Sequence, residues 1–309
     1  MAPSAPPATA ESPGASAPAS DGTGSYGATP AETAEASAEA VTPPAPVLLD
    51  QPDPAVALGV ARAAATTGVP DGVVLTPMTG EIRVRTPGQV VDGIDLTGCL
   101  IIEASNVVVR NSRVSCRNPT KPSAVHVMPG NWNLLVEDSE IDGLDGADIG
   151  IGWNNYTLRR VEIRNVADGA KAGSNVTIED SWIHDIIRKG DLHPDAIQST
   201  GGRDIVIRRN YLDPVPMGAT DVRNSAIQLG SENGDGLSNV LIENNILIGG
   251  NYTVNVRGDT VVQNVVFRGN VFNAPRRYGP IQAPPSVVFE NNIDLVTGGA
   301  QTQVRLVYS

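Results

Sequence analysis

The feature that most constrains this chain is a short motif that returns along most of its length. Ser105-Asn-Val-Val-Val-Arg-Asn-Ser recurs as Trp132-Asn-Leu-Leu-Val-Glu-Asp-Ser, Ser174-Asn-Val-Thr-Ile-Glu-Asp-Ser and Arg203-Asp-Ile-Val-Ile-Arg-Arg-Asn. It returns again as Ser238-Asn-Val-Leu-Ile-Glu-Asn-Asn, Gln263-Asn-Val-Val-Phe-Arg-Gly-Asn and Pro285-Ser-Val-Val-Phe-Glu-Asn-Asn, with Asn155-Tyr-Thr-Leu-Arg-Arg-Val as a looser copy. The second residues fall at 106, 133, 156, 175, 204, 239, 264 and 286, giving steps of 27, 23, 19, 29, 35, 25 and 22. Each copy places apolar side chains two apart, as at Val176 and Ile178, and then turns on polar residues. That is the period of a half-buried strand, and no helical spacing separates the copies. Short strands at such a period predict an all-β solenoid whose coils stack about 4.8 Å apart. The closing polar residues (Asn111, Asp138, Asp180, Asn244 and Asn291, with Asn210, Asn245, Asn270 and Asn292 one place on) are expected to stack as a ladder in the turn.

The solenoid does not begin at residue 1. Met1–Asp50 contains no Lys or Arg and six acidic residues, and is otherwise mostly Ala, Pro and Ser. With few large side chains to bury, it cannot offset its ordering entropy. Residues 1–46 therefore read as a disordered tail and 47–309 as one β-helix domain. The apolar stretch Val47–Ala65 is expected to cover the open first coil, whose strand edge would otherwise be bare. Net charge is −12, of which −6 belongs to the tail, so the ordered part is still acidic. That argues against nucleic acid, which needs a basic footprint. No apolar run is long enough to span a bilayer.

A second strand falls in each coil: Ala124-Val-His-Val, Asp148-Ile-Gly-Ile, Gly169-Ala-Lys-Ala, Ala196-Ile-Gln-Ser, Ala226-Ile-Gln-Leu, Thr253-Val-Asn-Val and Pro280-Ile-Gln-Ala. Alternation sends the second residue of each inward and leaves a polar file facing solvent: His126, Gly150, Lys171, Gln198, Gln228, Asn255 and Gln282. Beside it should run a file of small residues from Ala124 to Pro280, leaving room for a ligand. An extended glycan along the axis would find amides on one side and space on the other.

On these repeats, and on the opening segment Thr67-Gly-Val-Pro…Leu75-Thr-Pro-Met-Thr-Gly, the chain from about Thr67 onward resembles a right-handed parallel β-helix of the pectate-lyase-like superfamily. It is similar to secreted actinobacterial β-helix repeat proteins. The resemblance implies an extracellular, commonly monomeric protein. It leaves activity open, because the scaffold hosts lyases, hydrolases, epimerases and pure binding proteins. The tail resembles post-signal linkers, although Met1 runs straight into Ala-Pro-Ser without a visible signal peptide. Cys99 and Cys116 are then either free thiols or, in an oxidising compartment, one disulfide.

Chemistry is expected at two places. Lys171 is the only lysine of the file, and a lysine whose pKa is lowered by burial or nearby cations can serve as general base. In β-elimination of a uronate, that base takes the C5 proton while cations neutralise the carboxylate. The stretch His184–Gln198 lengthens one coil and holds His184, His193, Asp185, Asp191 and Asp195. His193 at the mouth of the groove suits acid–base work near neutral pH. Its His193-Pro-Asp-Ala-Ile-Gln198 core resembles a His-x-Asp-Gly/Ala-x-Gln element of bacterial β-helix proteins. Asp195 aligns with Asp168 one coil earlier, about 5 Å away. Such a pair can share a proton, bind Ca²⁺, or act as a retaining glycosidase pair. Strict alternation would instead turn both carboxylates inward. Arg223, Arg276 and Arg277 are candidate carboxylate binders, helped by Arg188, Lys189 and Arg257, with Tyr278, Trp153 and Tyr252 as sugar-stacking rings. A zinc site is disfavoured, since His184 and His193 lack further ligands. The reading is a polysaccharide lyase on an acidic, uronate-containing glycan. Its rivals are a hydrolase using Asp168 and Asp195, and a non-catalytic glycan-binding protein. Against the hydrolase, the triple-Asp set and Gly-His-Gly of polygalacturonase-like enzymes are absent.

Overall fold

The computed structural model describes residues 59–298, except 233 and 235, together with 304–307. The expected tail and most of the expected cap lie outside the described residues. Three parallel sheets of ten, ten and nine strands run the length of the molecule, and successive strands of the chain fall on different sheets. Sheet A runs from Thr76–Thr79 to Ile293–Asp294, sheet B from Ile82–Val84 to Val304–Leu306, and sheet C from Val90–Asp92 to Val288–Glu290. The chain is a parallel β-helix, as the repeat implies. Alternation fills its interior: Val176 and Ile178, Ile205 and Ile207, and Val240 and Ile242 stack rung upon rung in one core. Each such side chain contributes roughly 1.5–3 kcal/mol by leaving water.

The corners differ in kind. Every connection from sheet C to sheet A is one or two residues long. Its first residue has positive φ throughout: Gly93, Asn111, Asp138, Arg160, Asp180, Arg209, Asn244, Gly269 and Asn291. Asn and Asp tolerate that left-handed geometry better than most residues. The second residue turns inward and forms the buried ladder. Asn245 Oδ1 accepts from Asn210 N (2.9 Å) and Nδ2 (3.0 Å), and Asn245 Nδ2 donates to Ile207 O and to Asn270 Oδ1 (both 2.9 Å). Asn292 continues the stack and Ser181 begins it, by donating its amide to Asn210 Oδ1. The polar residues expected to form one ladder thus divide into a strained turn position and a buried bonding position.

The motif's own Asn makes a separate, exposed ladder, in which Asn133 Nδ2 donates to Asn106 Oδ1 and Asn264 Nδ2 to Asn239 Oδ1. Here the looser copy shifts by one place. Tyr156 pairs with Leu134, so Asn155, not residue 156, is the equivalent of Asn133.

Connections from sheet A to sheet B range from the two residues at 98–99 to the eleven at 214–224. Cys99 and Cys116 lie on this corner in adjacent coils and form a disulfide, with Cα atoms 5.0 Å apart. Of the expected cap only the helix Gly59–Thr66 is described; it lies not over the first coil but outside sheet A, where Ala63 packs with Tyr211 and Ile248 against Trp182 and Ile246. These outward-facing apolar residues need cover, and this helix supplies it. Among the described residues no helix is long and apolar enough to cross a membrane.

Candidate functional site: the outer face of sheet B

Sheet B pairs Lys171 with Gln198, Gln198 with Gln228, Gln228 with Asn255, and Asn255 with Gln282. The expected polar file therefore exists, and Arg305 extends it beyond Gln282. One member is corrected. Gly152, not Gly150, pairs with His126, because Asp148-Ile-Gly-Ile-Gly152 reads equally well in two frames two residues apart. The file is also less open than expected. Gln198, Asn255 and Gln282 are half-buried, while His126 (6%), Lys171 (7%) and Gln228 (6%) are nearly covered. Asn255 Nδ2 donates to Gln228 Oε1 (2.9 Å) and Gln282 Nε2 to Asn255 Oδ1 (3.1 Å), so the amides link across coils.

The small residues do not line a groove. Ala124, Ala196 and Ala226 belong to the core, and a Cβ on Gly169 would lie 2.4 Å from Ile183 Cγ2 of sheet A. Positions 169 and 170 both face inward at the bend from the corner into the strand. That breaks strict alternation, and Asp168 emerges on the same side as Lys171. Asp148, expected in the small file, is instead exposed and paired with Lys189 (2.6 Å).

Lys171 Nζ donates to Asp168 Oδ2 (2.5 Å), and Asp168 Oδ1 accepts the backbone amide of Asp195 (3.0 Å). Asp195 is fully buried; its Oδ1 accepts from Asn224 Nδ2 (2.8 Å), while Oδ2 has no partner. Burial pushes the Asp168 carboxyl up, against the pull of Lys171. Burial pushes Asp195 further up, helped by repulsion from Asp168. Lys171 and Asp168 form one ion pair beside Asp195, both side chains largely covered. The Trp153 ring covers the ammonium, its centroid 5.6 Å from Nζ. The same three-residue spacing recurs where Ser123 Oγ meets His126 Nδ1 at 3.1 Å, and burial pushes the His126 imidazole down.

The carboxylate pair does not fit Ca²⁺. One Asp168 oxygen is taken by an ammonium and the other by an amide, and burial disfavours the charged form of Asp195, whereas Ca²⁺ prefers several ionised oxygens. Nor can Asp195, with no exposed surface, touch a sugar as a glycosidase nucleophile.

Other expected binders are engaged elsewhere. Arg223 is buried and braces a loop through Ile186 O (2.5 Å) and Asp221 (2.9 Å). Arg276 binds both oxygens of fully buried Asp294. Arg188 pairs with Asp221, and Arg257 with Asp259 and Glu232. His184 faces away on sheet A, stacked on Trp182 and held between Asp185 and Glu162. Arg277, Tyr278 and His193 remain exposed, and none of the three has an ion-pair or hydrogen-bonding side-chain partner among the described residues. Tyr252, the buried neighbour of Tyr278 (ring centroids 5.5 Å apart), accepts from Arg305 Nη1 (2.5 Å). Arg305 was missed by sequence reading because the strand that carries it, Val304–Leu306, lacks the Ile-Gln signature of its neighbours.

No protein-family model matches this chain, and neither the curated proteins nor the solved structures contain a match to it.

Proposed function

We propose that this chain is a secreted, carbohydrate-active β-helix protein of the pectate-lyase-like type that holds an acidic polysaccharide along the outer face of sheet B. The observation that carries this reading is the unbroken register from Lys171 through Gln198, Gln228, Asn255 and Gln282. It offers an extended polymer one hydrogen-bonding side chain per coil, at a spacing close to that of a sugar residue. The Cys99–Cys116 disulfide suits an oxidising compartment.

β-Elimination is the chemistry this face supports best. Lys171, in its amine form, is the base this face offers, held in place by Asp168 Oδ2. Nζ would then take the C5 proton of a uronate. The glycosidic oxygen on C4 takes a proton back as its bond to C4 breaks, and a C4–C5 double bond forms. With Lys171 so little exposed, substrate reaches Nζ only when the Trp153 indole swings aside. His193, exposed on the neighbouring connection, is the alternative base.

The test incubates the protein with pectate, alginate or glucuronan and follows the ultraviolet absorbance of an unsaturated product. A rise that Lys171→Ala abolishes supports elimination at this site, and a rise lost only in His193→Ala moves the base there. Retention on an acidic-glycan affinity gel without turnover leaves a binding protein. Failure to bind any of these polymers refutes the reading.

A further inference from the structure

Among the described residues, nearly every Lys and Arg side chain is neutralised where it stands. Arg113 lies against Glu140, Arg208 and Arg209 against Glu179, and Arg164 against Asp142. Among the Lys and Arg side chains described, Arg117, Lys121, Arg277 and Arg305 have no carboxylate within 4.0 Å. All four belong to sheet B or to the connections that enter it, two near its third strand and two near its last. Arg117 and Lys121 sit on the connection 116–122 that enters Ser123–Val127 beside His126. Arg277 sits on the connection 273–278 that enters Gly279–Ala283, and Arg305 continues the outward file one strand beyond Gln282.

The far end is also shaped for a sugar ring. Tyr252 lies across Gly279, where a Cβ would come within 3.5 Å of its Cε1. Tyr278, 65% exposed, stands beside it under the Arg277 guanidinium. Aromatic faces and guanidinium groups together suit a pyranose carrying a carboxylate.

We infer that this face is anchored at both ends: Arg117 and Lys121 hold carboxylates at one end of an extended acidic polysaccharide, Arg277 and Arg305 at the other, and the amide file meets hydroxyls between. This rests on the reading of the face as a glycan site and adds its length. Ser123–Val127 and Val304–Leu306 are the third and tenth strands of sheet B, seven steps apart. At ~4.8 Å per step the anchors are separated by ~34 Å. An extended 1,4-linked pyranose advances roughly one such step, so the site spans about seven sugars. A nucleic acid strand is a poorer fit. It would bring about ten phosphates over that span, at ~3.4 Å each, to four cations on a molecule of net charge −12.

The test is calorimetric titration of the full chain with polygalacturonate, alginate and polyglucuronate, and then with size-fractionated oligomers of whichever binds. Two charge-reversed variants, Arg117→Glu/Lys121→Glu and Arg277→Glu/Arg305→Glu, are titrated alongside. Their urea midpoints serve as the folding control, since these side chains are exposed or partly so. Affinity is expected to climb with oligomer length and level off at about seven residues. Each double reversal should lower affinity for the long oligomers about ten-fold or more and leave trimers much less affected at one end. Affinity flat beyond the trimer, reversals without effect, or single-stranded DNA binding as tightly as the glycan would each overturn the two-anchor inference alone. If the unaltered chain binds none of the three polymers, the functional reading fails and takes the inference with it.

Discussion

Breaking the Lys171–Asp168 pair from its two sides should give unequal results. In Asp168→Asn the Lys171 ammonium, 7% exposed, loses its counter-charge. Removing one partner of a buried pair typically costs 3–5 kcal/mol. The lower end, about 3 kcal/mol, applies here, because both side chains of the pair keep some exposure. In Lys171→Met the stranded group is Asp168, which burial already pushes toward its protonated form and which still accepts the Asp195 amide. That change should cost only about 1 kcal/mol. The double variant leaves neither member of the pair charged and a side chain of similar volume, so it should also lose about 1 kcal/mol. The singles sum to about 4 kcal/mol and the double to about 1, a coupling of about 3 kcal/mol. Urea denaturation near neutral pH reads all three, provided the slope is unchanged. Additive singles would mean that no buried ion pair exists, and Lys171→Met costing as much as Asp168→Asn would mean that Asp168 stays charged when its partner is removed. The double variant has a second use, since a stable fold without turnover separates chemistry from folding.

Burial raises Asp213 to about 6 from 3.8, with the Asp185 carboxylate adding to the effect. The folded state then holds more protons between these values, so stability falls as pH rises from about 4 to about 6. Asp213→Asn should remove roughly 3 kcal/mol of that fall, and parallel curves for variant and parent would contradict it. Asn245→Ala cuts four hydrogen bonds inside the ladder and strands buried partners, for an expected loss of about 3–4 kcal/mol in chemical denaturation. A loss below about 1 kcal/mol would show that the ladder is not cooperative. Reducing Cys99–Cys116, which closes a separation of 17 residues, should cost about 3 kcal/mol in a thermal or urea melt, and an unchanged midpoint would count against the bridge.

The fold was legible because each coil repeats one local problem, a strand followed by a turn, and the chain solves it with similar residues each time. Val-x-Ile followed by Asn or Asp needs no tertiary information to be read as strand and left-handed turn. The site was legible where a distinctive residue marked the frame, as at Gln198, Gln228 and Gln282. It was lost at Ile149–Gly152, where Gly and Ile alternate and either frame satisfies the pattern. The outward turn of Asp168 was not readable either, since it depends on Gly169 and Ala170 both packing inward at the bend. Nor could sequence distinguish Arg276 from Arg277. Adjacent in the chain, one is spent on buried Asp294 and the other is free, a difference set by side-chain direction alone.

The contrast between the corners bears on how such a molecule can change. An extra residue between sheets C and A would displace a left-handed turn and pull an asparagine out of its stack, so insertions there should be purged. Among the described residues the corner between sheets A and B carries no such ladder, and it already accommodates spans from two residues to eleven. Diversity can therefore accumulate at one edge of the outer face of sheet B while the frame beneath stays constant. An engineer seeking a new ligand preference would randomise the more exposed parts of these spans, 188–192 and 216–220, and would leave the opposite turn untouched.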